Sequence, residues 1–138
     1  MSNPHGIEVY VRFCDTDALG HVNNTSYFQY FEEARTKFFK EVYPDRTSAF
    51  SFILASITCD YVSQAFADQT LKVTTYVKRV GNKSFTVNHI LSNPENGEKI
   101  ANSDAVIVCF NYTDQETIII PESLRLNLEN YSLVPHNN

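Results

Sequence analysis

The chain has 138 residues, a formal net charge of −5 and 43% hydrophobic residues, which suits one folded domain of ordinary size. No run of Lys or Arg exceeds two residues, so the clustered cations that bind nucleic acid phosphates are missing and we expect no nucleic acid partner. No apolar stretch approaches ~18 residues, and the N-terminus lacks a basic start and an apolar run. We therefore expect neither a membrane span nor a signal peptide.

The cysteines and histidines indicate no metal site. The spacing of Cys14, Cys59 and Cys109 matches no zinc site, and their odd number suits a reduced, cytoplasmic protein. The histidines, at positions 5, 21, 89 and 136, form no ligand cluster. We predict a single domain over residues 1–138 that holds no metal and no cofactor and works in the cytoplasm.

The first elements of the chain are a strand and a long helix. Residues 7–13 alternate apolar and polar side chains, which predicts a half-buried strand that ends at Phe13. A helix is predicted from about Thr25 to Val42, with Asn24, Thr25 or Ser26 as its cap and Pro44 after its end. Polar residues recur at helical spacing along one face: Gln29, Glu32, Glu33, Thr36, Lys37 and Lys40.

Arg35 is the exception within this helix, because by helical angle it falls inside the apolar arc. A buried guanidinium needs a partner, since an unpaired buried charge is costly. We predict an ion pair with Glu32, or with a strand acid such as Asp60 or Asp104. Direct contact with a ligand is the alternative.

The remainder of the chain predicts strands followed by a short helix. Strand patterns cover residues 52–62, 70–80, 84–92 and 99–113, with turns at Gly81-Asn82 and Asn96-Gly97. A short helix is predicted over Pro121–Asn127. One five-stranded antiparallel sheet packed on one long helix satisfies this order, which is an α+β fold.

The segment that joins the first strand to the helix carries a specific motif. It reads Arg12-x-x-Asp15-x-Asp17-x-x-Gly20-His21-Val22-Asn23-Asn24-x-x-Tyr27, and Glu33-Ala34-Arg35 follows in the helix. Over residues 7–128 the chain resembles the 4-hydroxybenzoyl-CoA thioesterase family of hotdog-fold acyl-CoA thioesterases. The resemblance implies a hotdog fold, in which the sheet wraps one long central helix. It also implies subunits paired edge to edge, active sites at the dimer interface, and a homotetramer built as a dimer of dimers.

The motif combines a carboxylate with the free N–H groups of a helix start. Asp17 matches the catalytic carboxylate of the family, as a nucleophile or as a general base for water. The alternative is an Asp that stabilises a turn through nearby N–H groups. The backbone N–H of Asn24 would polarise the thioester carbonyl, because a helix N-terminus carries unpaired donors. The alternative is that Asn23 and Asn24 only cap the helix.

Gly20 and His21 complete the predicted catalytic group. Gly20 is predicted to supply a backbone conformation that other residues resist, or to allow a close approach to the ligand. His21 either contacts substrate or is only hydrogen-bonded within the loop. Asp15 is predicted to be structural, paired with Arg12 or Arg35; the alternative is that Asp15 is the catalytic acid.

The predicted substrate-binding residues are Asn23, Tyr27, Arg79, Lys83 and Ser84. The last three surround Gly81, and in the family this strand pair lies near the phosphates and pantetheine of CoA. Their alternative is a set of solvated turn residues.

The sequence thus predicts an acyl-CoA thioesterase that releases a free acid and CoA. A thioester on acyl carrier protein is the alternative substrate, and a non-catalytic thioester-binding hotdog protein is the alternative class. The hotdog enoyl-CoA hydratases have an Asp and a His five residues apart with Asn-Pro between them. Here Asp17 and His21 are four apart with Ala-Leu-Gly between them, which argues against hydration.

Overall fold

The computed structural model describes residues 4–44, 47 and 49–132, so His136 and the first three residues of the N-terminus lie outside the described residues. The elements in chain order are β1 (His5–Tyr10), a single 3-10 turn (Phe13–Asp15), α1 (Asn24–Val42), β2 (Phe50–Tyr61), β3 (Thr70–Val80), β4 (Ser84–Asn93), β5 (Glu98–Asn111), β6 (Glu116–Thr117) and α2 (Glu122–Glu129).

Among the described residues the strands form one antiparallel sheet in the order β1-β3-β4-β5-β2, and the two-residue β6 pairs with β5. The long helix α1 packs against one face of this sheet, most closely on β3 and β1. The predicted α+β fold, one long helix on a five-stranded antiparallel sheet, is confirmed. The short β6 was not predicted, because two residues are too few to show an alternating pattern.

The start of the chain differs from the sequence prediction. Strand β1 ends at Tyr10, and Phe13 lies in the 3-10 turn with 85% of its side chain exposed. The strand stops here because the Asp15 carboxylate accepts the backbone N–H of Arg12 (3.0 Å), which folds the chain back on itself. The prediction that the strand reaches Phe13 is therefore wrong.

Helix α1 follows its predicted pattern closely. All six predicted polar positions are exposed, and the apolar face is buried except for Phe28, which is 37% exposed, and Phe39, which is half-buried. The N-cap is Asn23, whose side-chain oxygen accepts the backbone N–H of Thr25 (3.2 Å). The predicted caps at Asn24, Thr25 or Ser26 are one to three residues too late.

The apolar side chains between helix and sheet form two separate clusters. One lies at the start of α1 and includes Phe31 and Leu71. The other lies at the end of α1, includes Phe38 and Phe85, and is closed by α2 through Leu124. The inner face of the sheet is therefore apolar at both ends.

A row of polar residues separates the two clusters. Thr75, His89 and Ser103 are register partners on β3, β4 and β5, and all three are fully buried. The Thr75 hydroxyl lies 2.8 Å from Nδ1 of His89. Burial, followed by the positive charge of Arg35, lowers the pKa of His89 to about 3, so this imidazole is neutral at physiological pH. We call these three residues the polar row.

Arg35 is buried as its helical position predicts, with 7% of its surface exposed. The predicted ion pair is wrong: among the described residues no carboxylate forms a salt bridge with Arg35. Asp60 and Asp104 alternate with the inward-facing positions of β2 and β5, so they lie on the outer face of the sheet, where Asp104 pairs with Lys78.

Candidate active site

The segment from Thr16 to Val22 forms a tight loop whose two ends pair in a β-bridge. Inside it the Asp17 N–H donates to the carbonyl of His21 (2.8 Å), and the Gly20 N–H donates to the carbonyl of Asp17 (3.0 Å). Gly20 has φ +83°, a backbone conformation that residues with a Cβ adopt only under strain. The predicted conformational role of Gly20 is confirmed.

Asp15 anchors this loop from beneath. Its buried carboxylate accepts hydrogen bonds from Nη2 of Arg12 (2.9 Å) and from the hydroxyl of Tyr30 (2.9 Å), besides the Arg12 backbone N–H. Burial alone raises the pKa of Asp15, but the hydrogen bonds from Arg12 and Tyr30 outweigh it, so the net effect lowers the pKa. The predicted structural role of Asp15, paired with Arg12, is confirmed.

Tyr30 is a site residue that sequence reasoning missed. Its phenol is buried, and burial followed by the hydrogen bond to Asp15 raises its pKa, so the hydroxyl remains a donor. A buried tyrosine needs a hydrogen-bond partner for its hydroxyl, and this requirement could have identified Tyr30 from the sequence.

Asp17 lies at the outer end of the loop and is exposed. Its Oδ1 accepts the backbone N–H groups of Leu19 (2.8 Å) and His21 (3.2 Å), so the carboxylate does stabilise the turn. Among the described residues no donor contacts the second oxygen, Oδ2. One oxygen thus holds the carboxylate in a fixed direction while the other is available for chemistry.

The start of α1 adjoins the loop. The Asn23 N–H donates to the carbonyl of Asp15 (2.9 Å), which ties the helix cap to the loop anchor. Thr25 donates its N–H to the Asn23 side chain, whereas the N–H of Asn24 has no acceptor among the described residues. The first helical N–H is therefore a free donor at the positive end of the helix dipole.

His21 and Tyr27 occupy different surroundings. His21 pairs with Phe66 in a β-bridge, and the two rings meet edge to face with centroids 5.2 Å apart. Phe66 and Leu19 are exposed beside it and give the loop an apolar rim. Tyr27 is only 4% exposed and packs against the Tyr61 ring in the core beneath the loop, so its contact with substrate stays a prediction.

Arg79, Lys83 and Ser84 come together at the turn between β3 and β4. Nη2 of Arg79 donates to the Ser84 hydroxyl (3.2 Å), and Lys83 is exposed. Arg125 of α2, which sequence reasoning missed, donates from Nη2 to the carbonyl of Gly81 (2.8 Å) and adds a second guanidinium to this turn. The sequence signal for Arg125 was its place in the short C-terminal helix.

Within one chain the two groups of predicted site residues do not meet. Loop 16–22 lies beside the Thr70 end of β3, because the Val11 and Val22 N–H groups bond to the carbonyls of Gln69 and Ala65. The Arg79 cluster lies at the opposite end of that strand. At ~3.3 Å per residue, an 11-residue strand separates them by roughly 30 Å.

Comparison with known proteins identifies the family of the chain. The family model described as the thioesterase-like superfamily matches residues 11–128. The chain belongs to that superfamily. It is a thioester hydrolase with a hotdog fold, as predicted.

Relatives of the chain extend along most of its length. The uncharacterized protein YsmA of Bacillus subtilis (strain 168) is 34% identical over 102 residues, which are 73% of this chain and 69% of YsmA. The long-chain acyl-CoA thioesterase FadM of Escherichia coli (strain K12) is 24% identical over 125 residues, 88% of this chain and 95% of FadM. A solved structure of a predicted thioesterase from Bacillus stearothermophilus superposes with a TM-score of 0.87 at 29% identity, covering 96% of this chain and 99% of that one.

Within residues 4–44, 47 and 49–132, no group of three or more His, Cys, Asp and Glu side chains is placed to hold a metal ion. None of the helices in the described part of the chain has the length and apolarity required to cross a bilayer.

Proposed function

We propose that this protein hydrolyses acyl-CoA thioesters to a free acid and CoA, with Asp17 as the catalytic carboxylate and the Asn24 N–H as the oxyanion donor. The observation that carries the proposal is the pairing of one uncommitted carboxylate oxygen with one uncommitted helix-start N–H on the same short segment. Membership of the thioesterase-like superfamily and the likeness to FadM support the reaction class.

The chemistry follows from these two groups. The Asn24 N–H donates to the thioester oxygen, where negative charge develops as the carbonyl carbon is attacked. In one route Oδ2 of Asp17 attacks that carbon and expels CoA thiolate, and water then hydrolyses the mixed anhydride to the free acid. In the other route Oδ2 takes a proton from the attacking water, and the tetrahedral intermediate expels CoA thiolate and leaves the free acid. Gly20 keeps the loop tight enough to present the carboxylate, and His21 with its Phe66 contact forms the side of the site.

The CoA portion of the substrate is assigned to the Arg79 cluster of a second subunit. Arg79, Lys83 and Ser84 offer two cations and a hydroxyl for phosphate groups, with Arg125 beside them. Because this cluster lies roughly 30 Å from Asp17 along β3, one chain cannot present both to one substrate molecule. We therefore propose an edge-to-edge homodimer that forms shared sites, assembled as a tetramer and working in the cytoplasm.

The first experiment measures thiol release from short, medium, long and aromatic acyl-CoAs by wild type and Asp17→Asn. Asparagine keeps the Oδ1 acceptor that holds the turn but can neither attack nor take a proton. We expect kcat to fall about 10²- to 10⁴-fold with the fold intact. Asp114→Asn, an exposed acid in a distant turn, is the matched control and should retain full activity. A loss of only a few fold in folded Asp17→Asn would remove Asp17 from the mechanism.

The same assay separates the alternative functions. Turnover of acyl carrier protein thioesters without turnover of any acyl-CoA would move the substrate to the carrier protein. Retention of CoA without any turnover would indicate a thioester-binding protein.

The shared site has its own test. Asp17→Asn and Lys83→Gln chains are each expected to be impaired alone. Mixing them should form dimers with one intact site and restore activity. Activity that stays at the sum of the two separate variants would contradict a site built from two subunits.

A further inference from the structure

A cavity of about 280 Å³ lies between α1 and the edge strand β2, away from Asp17. Its walls are half apolar and half polar, and the polar half includes two charged side chains. The residues that matter here are Glu32, Arg35, Phe39, Phe52, Leu54 and Ile107.

Among the described residues, the guanidinium in this cavity has no hydrogen-bond or salt-bridge partner. Arg35 is more than nine-tenths buried, and its Nη1 has no hydrogen-bond acceptor among the described residues. A guanidinium does not lose its proton in a protein, so the positive charge stays. Glu32 stands one helical turn earlier, is exposed, and forms no salt bridge with Arg35. The charge of Glu32 acts on Arg35 only from beyond salt-bridge distance, so a buried guanidinium on the cavity wall still favours an anion in direct contact with it.

The cavity lies on the side of α1 that leads back to the proposed oxyanion donor. Asn24, Phe28, Arg35 and Phe39 share one stripe of the helix, by their spacing of four, seven and four residues. Tyr61 of β2 contacts Tyr27 near the start of α1, and Phe52 of β2 stacks on Phe39 near the end of α1, with ring centroids 4.2 Å apart. Strand β2 therefore runs beside this stripe in the direction opposite to the helix.

The distance along this path fits an acyl chain. Eleven residues separate Asn24 from Arg35, which is about 16 Å along the helix axis, and the Arg35 side chain leans back toward the helix start. A chain whose thioester oxygen meets the Asn24 N–H can therefore extend along α1 toward the guanidinium.

We infer that this cavity binds a carboxylate at the far end of the acyl group, so that the preferred substrates are mono-CoA thioesters of dicarboxylic acids. The inference rests on the proposed function and names its substrate class. The planar guanidinium of Arg35 donates to both carboxylate oxygens, and Phe39, Phe52 and Leu54 contact the methylene groups. A plain hydrocarbon chain would leave the guanidinium without a partner.

The test compares matched pairs of substrates in which only the chain end differs. Hexanoyl-, octanoyl-, decanoyl- and dodecanoyl-CoA are each paired with the CoA monothioester of the dicarboxylic acid of equal length. We expect kcat/KM to be about tenfold or more higher for the carboxylated member at the best-fitting length.

Variants assign this preference to its residue. Arg35→Met keeps a side chain of similar length but removes its charge, and it should bring the ratio of the two kcat/KM values to about one. Glu32→Gln removes the nearest negative charge and should raise the ratio. Lys37→Met removes a cation from the exposed face of the same helix and is the matched control, which should keep the wild-type ratio.

The outcomes are distinguishable from those of the proposed function. Turnover of both members with a ratio near one in wild type, or a ratio that Arg35→Met leaves unchanged, overturns the inference and leaves the thioesterase proposal standing. An equal gain with a terminal hydroxyl in place of the carboxylate also overturns it, because the charge would then be irrelevant.

If no acyl-CoA is hydrolysed, free dicarboxylic acids are tested by thermal shift. A rise in Tm for wild type but not for Arg35→Met supports the inference, and no rise overturns it.

Discussion

Asp15 and Arg35 are both buried charges at the helix α1, yet their surroundings are opposite. Asp15 lies beneath the loop and accepts hydrogen bonds from Arg12 and Tyr30. Arg35 lies 20 residues later and has no ion-pair partner among the described residues. A satisfied buried charge fixes a local conformation, whereas an unsatisfied one lowers stability until something binds it. The first is thus a structural device and the second a candidate binding group.

Removal of the satisfied charge should have the largest effect on stability. Asp15→Ala leaves the Tyr30 hydroxyl and both the N–H and the guanidinium of Arg12 without their acceptor. We expect the free energy of unfolding to fall by about 3 kcal/mol, measured by urea denaturation. Asp17→Ala, which removes an exposed carboxylate from the same loop, is the matched control and should lose less than half as much.

The pH dependence of stability should reveal the contribution of His89, which belongs to the polar row next to Arg35. Because the pKa of His89 is about 3 in the folded state and near 6.5 when unfolded, the unfolded chain binds the extra proton between these values. Stability should therefore fall by about 2 kcal/mol as the pH drops from about 6 to about 4. His89→Gln should flatten this part of the profile.

The contribution of Asp15 belongs to a separate range of pH. Its folded pKa is lowered, so its stabilisation is present above the unfolded pKa and is lost as the pH falls below about 4. A His89→Gln protein that keeps the wild-type slope between about pH 6 and about pH 4 would contradict the assignment to His89.

Removal of the unsatisfied charge should act in the opposite direction from Asp15→Ala. Arg35→Met replaces an unpaired buried guanidinium with an apolar chain of similar length, and we expect a gain of about 1–3 kcal/mol in chemical denaturation. Lys37→Met, which breaks the exposed pair with Glu33, should lose about 0.3–0.5 kcal/mol. A loss for Arg35→Met larger than that control would mean that Arg35 is satisfied in solution, and the comparison with Asp15 would fail.

Substitutions at the cap of α1 should give the smallest difference in the free energy of unfolding, and this difference separates two adjacent residues. Asn23→Ala removes the acceptor for the Thr25 N–H and should lower the free energy of unfolding by about 1 kcal/mol. Asn24→Ala changes a side chain that no cap uses and should stay within about 0.5 kcal/mol of wild type. Equal losses for the two variants in urea would place the cap at the wrong residue.

The sequence predicted the fold well where a pattern is long and local. Strand β3 begins at Thr70 and ends at Val80 as predicted, because its alternation is unbroken and turn residues flank it. The helix pattern likewise placed Arg35 in the buried arc. Strand β1 was predicted three residues too long, because the bond from Arg12 to Asp15 decides its end and alternation continues through it.

The site was predictable only as far as sequence neighbours interact. The pairing of Asp15 with Arg12 joins residues three apart, and it was predicted. The hydrogen bond from Tyr30 to Asp15 joins the helix to the segment before it, and no periodic pattern in the sequence predicts such a contact. The predicted partners of Arg35 were wrong, because Glu32 is exposed and forms no salt bridge with it, and Asp60 and Asp104 lie on the outer face of the sheet. The separation of Asp17 from Lys83 could not be predicted from the sequence, because it depends on which end of β3 lies beside the loop.

The division of the core into two apolar clusters has a consequence for the evolution of this protein. The polar row leaves the apolar cluster at the loop end without direct packing against the cluster closed by α2. Substitutions drawn from different clusters share no packing partners, so their effects on stability should add. New acyl pockets can then be selected at one end of α1 while the other end keeps the chain folded.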